Sequence, residues 1–256
     1  MTPVLPGRLG RLKPARSASR PRLARYVRTP LPPAPARLDR AVGVGWGMFC
    51  NDRLGCCTVA ALANGIVQRT TLAGGTPLVM PDAVVERCYG AVGGYVAGRP
   101  ETDGGAVETD VLGWFARSGV RLRDQGVECG VWATLDPRDR EAIRQSVALF
   151  GSAYLGLDLP LRAQDQALWD AVASDAPEDR PGSWGGHAVI VAGYDEVGVS
   201  LVTWGRVQRA SWAFLDRYLD EAYAVFAPGE WIGPAGTSPD SVDFATLSAD
   251  LRAIGA

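Results

Sequence analysis

The hydrophobic pattern of this 256-residue chain changes its period near the middle, and this change constrains the fold more than any other feature. Apolar residues recur at helical spacing in the first half, whereas the second half carries short runs rich in β-branched residues, which are typical of strands. Helices are predicted over residues 57–73, 81–89, 106–117, 136–150, 212–219 and 241–254, and strands over residues 153–159, 187–194, 199–204 and 222–226. Helices followed by an antiparallel sheet predict the α+β class, with a cleft between the two halves.

Charge is distributed unevenly along the chain. Residues 1–37 contain nine of the 26 basic side chains, eight of the 18 prolines and no acidic residue, which leaves 17 basic and 28 acidic side chains for the rest. Proline at this density excludes a long helix and favours extended chain. We therefore predict a basic, proline-rich N-terminal arm over residues 1–40 and a globular domain over residues 41–256. The arm is expected to be a strap across the acidic body or a solvated tail, and a phosphate-binding or partner-docking arm is the alternative.

Composition and motifs argue against several other classes of function. The net charge of −2 gives no general reason to bind nucleic acid, so only the basic arm leaves that partner open. No apolar run approaches the ~18 residues of a membrane-spanning helix, and the first thirty residues lack the apolar core of a secretory signal. These features predict a cytoplasmic protein with no membrane partner. Because the chain has one histidine and no CxxC, GK[ST] or GxSxG motif, we predict no metal, no cofactor and no serine hydrolase.

The single histidine, His187, begins the strongest predicted strand and directly follows two glycines, which let backbone or substrate approach closely. Cys57 lies 130 residues earlier, at the start of the first predicted helix. Free backbone N–H groups and the helix dipole at that position favour the thiolate, which is the nucleophilic form. A cysteine and a histidine at this separation indicate a thiol-dependent hydrolase.

Two segments resemble the papain-like cysteine peptidases. The sequence NDRLGCCTVAALAN, from residue 51 to 64, resembles the block in which a Gln precedes Gly-x-Cys, and GGHAVIVAGY with the later Trp-Gly resembles the family's histidine strand and turn. The resemblance implies a helical lobe with a catalytic helix, followed by an antiparallel β-sheet lobe. It also implies roles for four residues: Cys57 as nucleophile, His187 as base, Asn51 as side-chain oxyanion donor, and Trp204 as cover for the bond that orients the histidine.

A second likeness covers roughly residues 40–256. The chain is similar to a group of bacterial and prophage-encoded papain-like proteins with an NDxxGDCT motif, a TDxG stretch and a WxFxxYxDEAYAV run. The last two appear here at residues 102–105 and 212–225.

The sequence departs from these patterns at three positions. Val202 replaces the Asn that orients the family's histidine, so either Thr203 on the opposite strand face, or Asp52 or Asp103, has to supply that hydrogen bond. Asp103 is otherwise expected to cap the following helix. Asn51 is one methylene shorter than the family's Gln, and it is also a good turn former. The third departure is a cysteine at position 56, where the related group has Asp.

The other thiols are assigned simpler roles. A bridge between Cys50 and Cys56 is compatible with their spacing, but a cytoplasmic protein usually keeps its thiols reduced. Cys88 and Cys129 are expected to be small buried hydrophobic residues. The residues that flank the two reactive side chains are predicted to contact substrate: Gly55, Cys56, Gly186 and Trp204.

These patterns together predict a thiol-dependent hydrolase that cleaves peptide or isopeptide bonds in a peptide or protein substrate. The predicted catalytic residues are Cys57, His187, Asn51 and Thr203. The alternative is a catalytically impaired papain-like protein that binds or builds a structure, in a phage or prophage particle. A transglutaminase or an amidase acting on cell-wall peptides would use the same residues. The oligomeric state is not predicted.

Overall fold

The computed structural model describes residues 7–14, 20–74, 77–122, 126–128, 130–226 and 242–255. The helices in these ranges are α1 (Cys57–Leu72), α2 (Asp82–Gly93), α3 (Glu108–Ser118), α4 (Arg140–Phe150), α5 (Trp212–Tyr218) and α6 (Phe244–Ala253). The strands are β1 (Arg11–Leu12), β2 (Leu38–Asp39), β3 (Ala106–Val107), β4 (Val120–Leu122), β5 (Gly126–Glu128), β6 (Val131–Leu135), β7 (Ala153–Leu159), β8 (Leu168–Trp169), β9 (Gly185–Tyr194), β10 (Gly198–Thr203), β11 (Arg206–Ser211) and β12 (Leu219–Phe226).

An eight-stranded sheet forms the second half of the fold, in the order β6-β12-β7-β9-β10-β11-β8, and β2 also pairs with β9. Neighbouring strands run antiparallel except for β8 and β11, which are parallel. Strand β9 lies at the centre, and every residue from His187 to Tyr194 is buried. This continuous burial explains why its sequence is dense in β-branched residues without clear alternation. The predicted α+β class is confirmed.

Helix α1 is the central helix, and it packs against β9. The sequence suggested an apolar stripe on one face, but every residue from Cys57 to Thr70 is buried. Alanine and glycine at several positions reduce the width of the helix, which allows other parts of the chain to surround it. The start of α1 is thereby held beside the start of β9, where the two candidate reactive residues lie.

The predicted elements agree with the observed ones in type, and the differences have local causes. Helix α4 begins at Arg140 because the side chain of Asp139 caps it by accepting the N–H of Ala142. Helix α3 begins at Glu108, and the residues before it form β3, which pairs with the arm. Strands β6 and β11 are not predicted from the sequence, because each lies at the edge of a turn-rich segment.

The described residues of the N-terminal arm pack on the globular body. Leu38–Asp39 adds to the sheet beside β9, and Leu23 and Tyr26 are buried. The Tyr26 hydroxyl donates to Asp250 of α6 at 2.8 Å. Residues 20–40 therefore form a strap across the body, which was one of the two arrangements expected for the arm. No helix among the described residues is long and apolar enough to cross a membrane.

Leu23→Ala should lower the free energy of unfolding by about 2–4 kcal/mol, because it removes buried apolar atoms and leaves a cavity under the strap. Leu161→Ala is the matched control, since Leu161 is 44% exposed and Leu23 only 6%. Urea denaturation of both variants tests this, and equal stability would show that the strap does not pack on the body in solution.

Candidate active site

Cys57 and His187 come together where α1 meets β9. Cys57 is the first residue of α1, and His187 is the first fully buried residue of β9. The backbone N–H groups of Ala188, which follows His187, and of Gly10 in the arm lie close enough to the Cys57 thiol to lower its pKa. Two residues that are 130 positions apart in sequence are therefore neighbours in the fold.

The imidazole of His187 is held by Thr203, the last residue of β10, and by Trp204, which follows it. Its Nε2 forms a 2.6 Å hydrogen bond with Thr203 Oγ1, and its ring stacks on Trp204 with the centroids 4.5 Å apart. Of the two residues considered for this hydrogen bond, Thr203 makes it, and Val202, on the opposite strand face, is buried elsewhere in the core. The other ring nitrogen, Nδ1, is buried and has no hydrogen-bond partner among the described residues.

Residues 7–13 of the arm, which we call the cleft segment, lie across this site as an extended peptide. The Gly10 N–H donates to the Gly186 carbonyl at 3.2 Å, and the Gly10 carbonyl accepts the Ala106 N–H at 2.8 Å. Arg11–Leu12 then pairs in parallel with β3. The cleft segment is thus bound through its main chain to both walls of the cleft.

Asn51 binds the same segment on the other side of Cys57. Its side-chain amide donates to the carbonyl oxygens of Arg8 and Leu54, each at 3.0 Å. Trp204 Nε1 donates to the Arg8 carbonyl at 3.3 Å. The side chain of Asn51 therefore already binds a peptide carbonyl in the cleft, and it also closes the turn that precedes α1.

The Cys57 thiol and the Asn51 side chain lie against neighbouring peptide units of the cleft segment. The thiol of Cys57 contacts the amide of Gly10, whereas the amide of Asn51 contacts the carbonyl of Arg8. The two groups belong to neighbouring peptide units, which are one residue or about 3.5 Å apart in extended chain. The Asn51 side chain binds the Arg8 carbonyl, whereas the carbonyl that shares a peptide unit with the Gly10 amide is that of Leu9.

Three of the four predicted substrate-contacting residues touch the cleft segment, and glycine is required for the closest approaches. A Cβ added to Gly10 would lie 1.8 Å from the Gly55 carbonyl oxygen, and a Cβ added to Gly186 would lie 2.2 Å from the Arg11 carbonyl oxygen. Trp204 is the third, through the hydrogen bond described above. Cys56 differs, because its buried thiol donates to the Phe49 carbonyl at 3.3 Å.

Asp103 supports the site instead of capping a helix, so its expected N-cap role is wrong. It accepts the Gly55 N–H at 2.9 Å and the Tyr89 hydroxyl at 2.6 Å, which fixes the loop before Cys57. Helix α3 starts five residues later because the intervening chain pairs with the arm. Cys50 and Cys56 are free thiols, so the bridge considered between them is absent. Cys129 lies outside the described residues.

Burial controls the charge of the two reactive side chains. It raises the pKa of the Cys57 thiol to about 12, although the N–H groups of Ala188 and Gly10 oppose this shift. Burial lowers the pKa of His187 to about 3, and the nearby charge of Arg11 lowers it further. The position at the helix start was expected to favour a thiolate. With the cleft segment in place, both groups are instead neutral near pH 7.

Comparison with solved structures places this arrangement among known folds. The chain superimposes on xylellain, a cysteine protease from Xylella fastidiosa, with a TM-score of 0.64 and 13% identity over 89% of this chain and 98% of that one. The fold is papain-like. ProCathepsin B S9 from Trypanosoma congolense gives a TM-score of 0.58 at 13% identity, covering 86% of each chain. The cysteine protease CMS1MS2 from Carica candamarcensis gives 0.52 at 14% identity, over 75% of this chain and 99% of that one.

No protein-family model matches the sequence, and neither does any curated protein. The papain-like likeness therefore rests on the arrangement of the backbone. Within this fold, the chain brings together Cys57, His187, Asn51 and Thr203.

Sequence reasoning missed the cleft segment as part of the site. The one available signal was the contrast between an arm with no acidic residue and an acidic body. Charge alone does not identify which arm residues enter the cleft, and the close approach of Gly10 to Gly55 is visible only once the fold is known.

The buried imidazole should make stability depend on pH. His187 takes up a proton below its ordinary pKa of 6.5 in the unfolded chain, but only near 3 in the folded chain. Because the unfolded state binds more protons in this window, stability is fully present above pH 6.5 and is lost as the pH falls. The loss from this one group is about 1.4 kcal/mol per pH unit.

Urea denaturation at pH 6.5 and pH 4.5 tests this expectation in the intact chain and in His187→Gln. The difference in unfolding free energy between the two pH values should be about 2–3 kcal/mol larger in the intact chain. All carboxylates titrate in both proteins, so their contribution cancels. Equal pH dependence would show that His187 is not buried as a neutral ring.

Proposed function

We propose that this protein is a thiol-dependent hydrolase that cleaves peptide or isopeptide bonds and that its own N-terminal arm keeps it latent. Cys57 is the nucleophile, His187 the base, Asn51 an oxyanion donor, and Thr203 the residue that orients the imidazole. The observation that carries the proposal is the extended peptide, residues 7–13, held by main-chain hydrogen bonds over Cys57. Main-chain bonds do not depend on side chains, so they would hold another extended peptide in the same way.

Each step of the reaction has a group in position once the cleft segment leaves. His187 accepts the proton of Cys57, and the thiolate attacks the carbonyl carbon of the substrate. The oxyanion that forms accepts hydrogen bonds from the Asn51 amide and the Cys57 backbone N–H. The C–N bond breaks as His187 returns its proton to the leaving amine, and water then hydrolyses the thioester to release the acid and regenerate the thiol.

Latency follows from burial. Water and substrate are excluded from Cys57 while the cleft segment is bound, and the thiol and imidazole are both uncharged in that state. Removal of the segment exposes both groups to water, which favours their charged forms. The strap formed by residues 20–40 keeps its own contacts with the body, so residues 7–13 can leave the cleft while the arm stays attached.

A second candidate is a protein that binds peptides in this cleft without cleaving them. The observation that favours it is the hydrogen-bonded cleft segment itself, since binding needs no reactive thiol. The peptide or protein substrate, the cytoplasmic or particle location and the link to prophage-encoded relatives are parts of the proposal that the sequence motivates.

Gly10→Val should release the cleft segment, because a side chain at this position collides with the Gly55 carbonyl. We expect Cys57 in this variant to react with iodoacetamide at pH 6 at least tenfold faster than in the intact chain. Peptide mapping by mass spectrometry identifies the labelled thiol, and Cys88, which is 3% exposed, is the internal reference. The variant should also cleave a denatured protein substrate.

Two further variants serve as controls. Gly45→Val adds the same side chain where nothing lies within 4 Å, and it should leave Cys57 protected. Gly10→Val combined with His187→Ala should lose the fast labelling at pH 6, because the thiolate then has no imidazolium partner. Fast labelling that survives the loss of His187, or labelling of Cys57 without any cleavage, would favour the peptide-binding candidate.

A further inference from the structure

The side chain of Arg11, the residue after Gly10 in the cleft segment, enters a pocket walled by acidic residues of the body. Its guanidinium is completely buried and makes ion pairs with four carboxylates. The distances are 3.3 Å to Glu108, 3.2 Å to Asp158, 2.6 Å to Asp220 and 2.8 Å to Glu221. One cation of the arm thus faces four carboxyl groups of the body, and we call this site the acidic pocket.

The acidic pocket is not neutralised by the body itself. Among the described residues, every basic side chain paired with these carboxylates belongs to the arm: Arg11, Lys13 and Arg20. Burial raises the pKa of Glu108 well above its usual value, and its Oε1 atom has no hydrogen-bond partner in the described part of the chain. Without the arm, these carboxyl groups would have no basic partner among the described residues, which favours a cationic occupant.

The shape of the pocket favours a guanidinium. Arginine carries five N–H donors in a rigid plane, so it can bind several carboxylates that approach from different directions. Gly156 leaves the space that the group fills, since a Cβ there would lie 2.3 Å from Arg11 Nε and 2.3 Å from Glu108 Oε2. The pocket therefore has both the charge and the space for an arginine side chain.

The pocket adjoins the reactive residues. Gly10 contacts Gly186 and the Cys57 thiol through its amide, and the next residue sends its side chain into the pocket. Any extended peptide bound through the same main-chain positions would place a side chain there. The carboxylates Asp220 and Glu221 also border an open cavity of about 1110 Å³ under the strap.

We propose that the acidic pocket is a recognition site for an arginine side chain of the peptide substrate, which Arg11 of the cleft segment occupies in the latent protein. That the bound peptide is a substrate rests on the proposed function, whereas the recognition of a guanidinium does not. The protein would then select basic peptides, and its own arm, in which basic residues recur, is a peptide of that kind.

Fluorescence anisotropy with three labelled peptides tests this proposal without any reaction at Cys57. The parent peptide has the sequence of residues 7–13, GRLGRLK. The second carries citrulline, a neutral isostere of arginine, at the position of Arg11. The third carries citrulline at the position of Arg8, whose side chain is 57% exposed, and it is the matched control. The protein is the full chain with Gly10→Val and Arg11→Ala, which empties both the cleft and the pocket.

The parent and the Arg8-substituted peptides should bind with similar Kd, and the Arg11-substituted peptide at least about tenfold more weakly, because it loses charge-assisted hydrogen bonds. The intact chain should bind all three weakly, since its pocket is filled. Asp158→Asn added to the variant should reduce the preference for arginine. Gly10→Val alone replaces the double variant if the latter does not fold.

Equal Kd for the two citrulline peptides would overturn the proposal, as would failure of every peptide to bind. These outcomes are separate from the labelling of Cys57. A preference for arginine together with an unreactive Cys57 would support the recognition site and contradict the proposed hydrolase. A reactive Cys57 without a preference for arginine would support the hydrolase and contradict the recognition site.

Discussion

The hydrogen bonds that hold the main chain of Gly10 between Gly186 and Ala106 determine the state of this molecule. They seat an extended segment of the arm directly over Cys57, which excludes water from the thiol and from the neighbouring imidazole. With the segment in place, burial shifts both pKa values toward the neutral forms, and the side chain of Arg11 fills the acidic pocket. Because glycine on both sides of the contact allows main chains to touch, the fit is a property of the backbone.

Two opposing electrostatic effects meet at Cys57. The start of α1 and the amides of Gly10 and Ala188 favour a thiolate, whereas burial disfavours any charge there, and burial prevails while the cleft segment is bound. The balance is expected to reverse when the segment leaves, because exposure removes the desolvation penalty and the helix start does not move. The acidic pocket opposes release of the segment, since its carboxylates bind the Arg11 cation that keeps the segment in place.

Much of the fold could be predicted from the sequence because strong patterns lie in elements that are long. Helix α1 and strand β9 were both predicted to within a few residues, as was the helix α4 apart from its start. The short strand β3 and its pairing with Arg11–Leu12 could not be predicted from the sequence. Two-residue strands carry no periodic signal, and the two partners lie about 95 positions apart. The mistaken cap at Asp103 has the same origin, because its partners Gly55 and Tyr89 come from other elements.

The sequence by itself determined which residues can do chemistry. A single histidine, a cysteine at a helix start and an asparagine six positions before it leave few alternatives for a nucleophile and its base. Only the tertiary structure decided that Thr203 hydrogen-bonds the imidazole, that the arm lies in the cleft, and that four carboxyl groups from three separate segments surround Arg11. Local sequence sets the type of side chain and helix, whereas long-range packing sets which side chains meet and whether water reaches them.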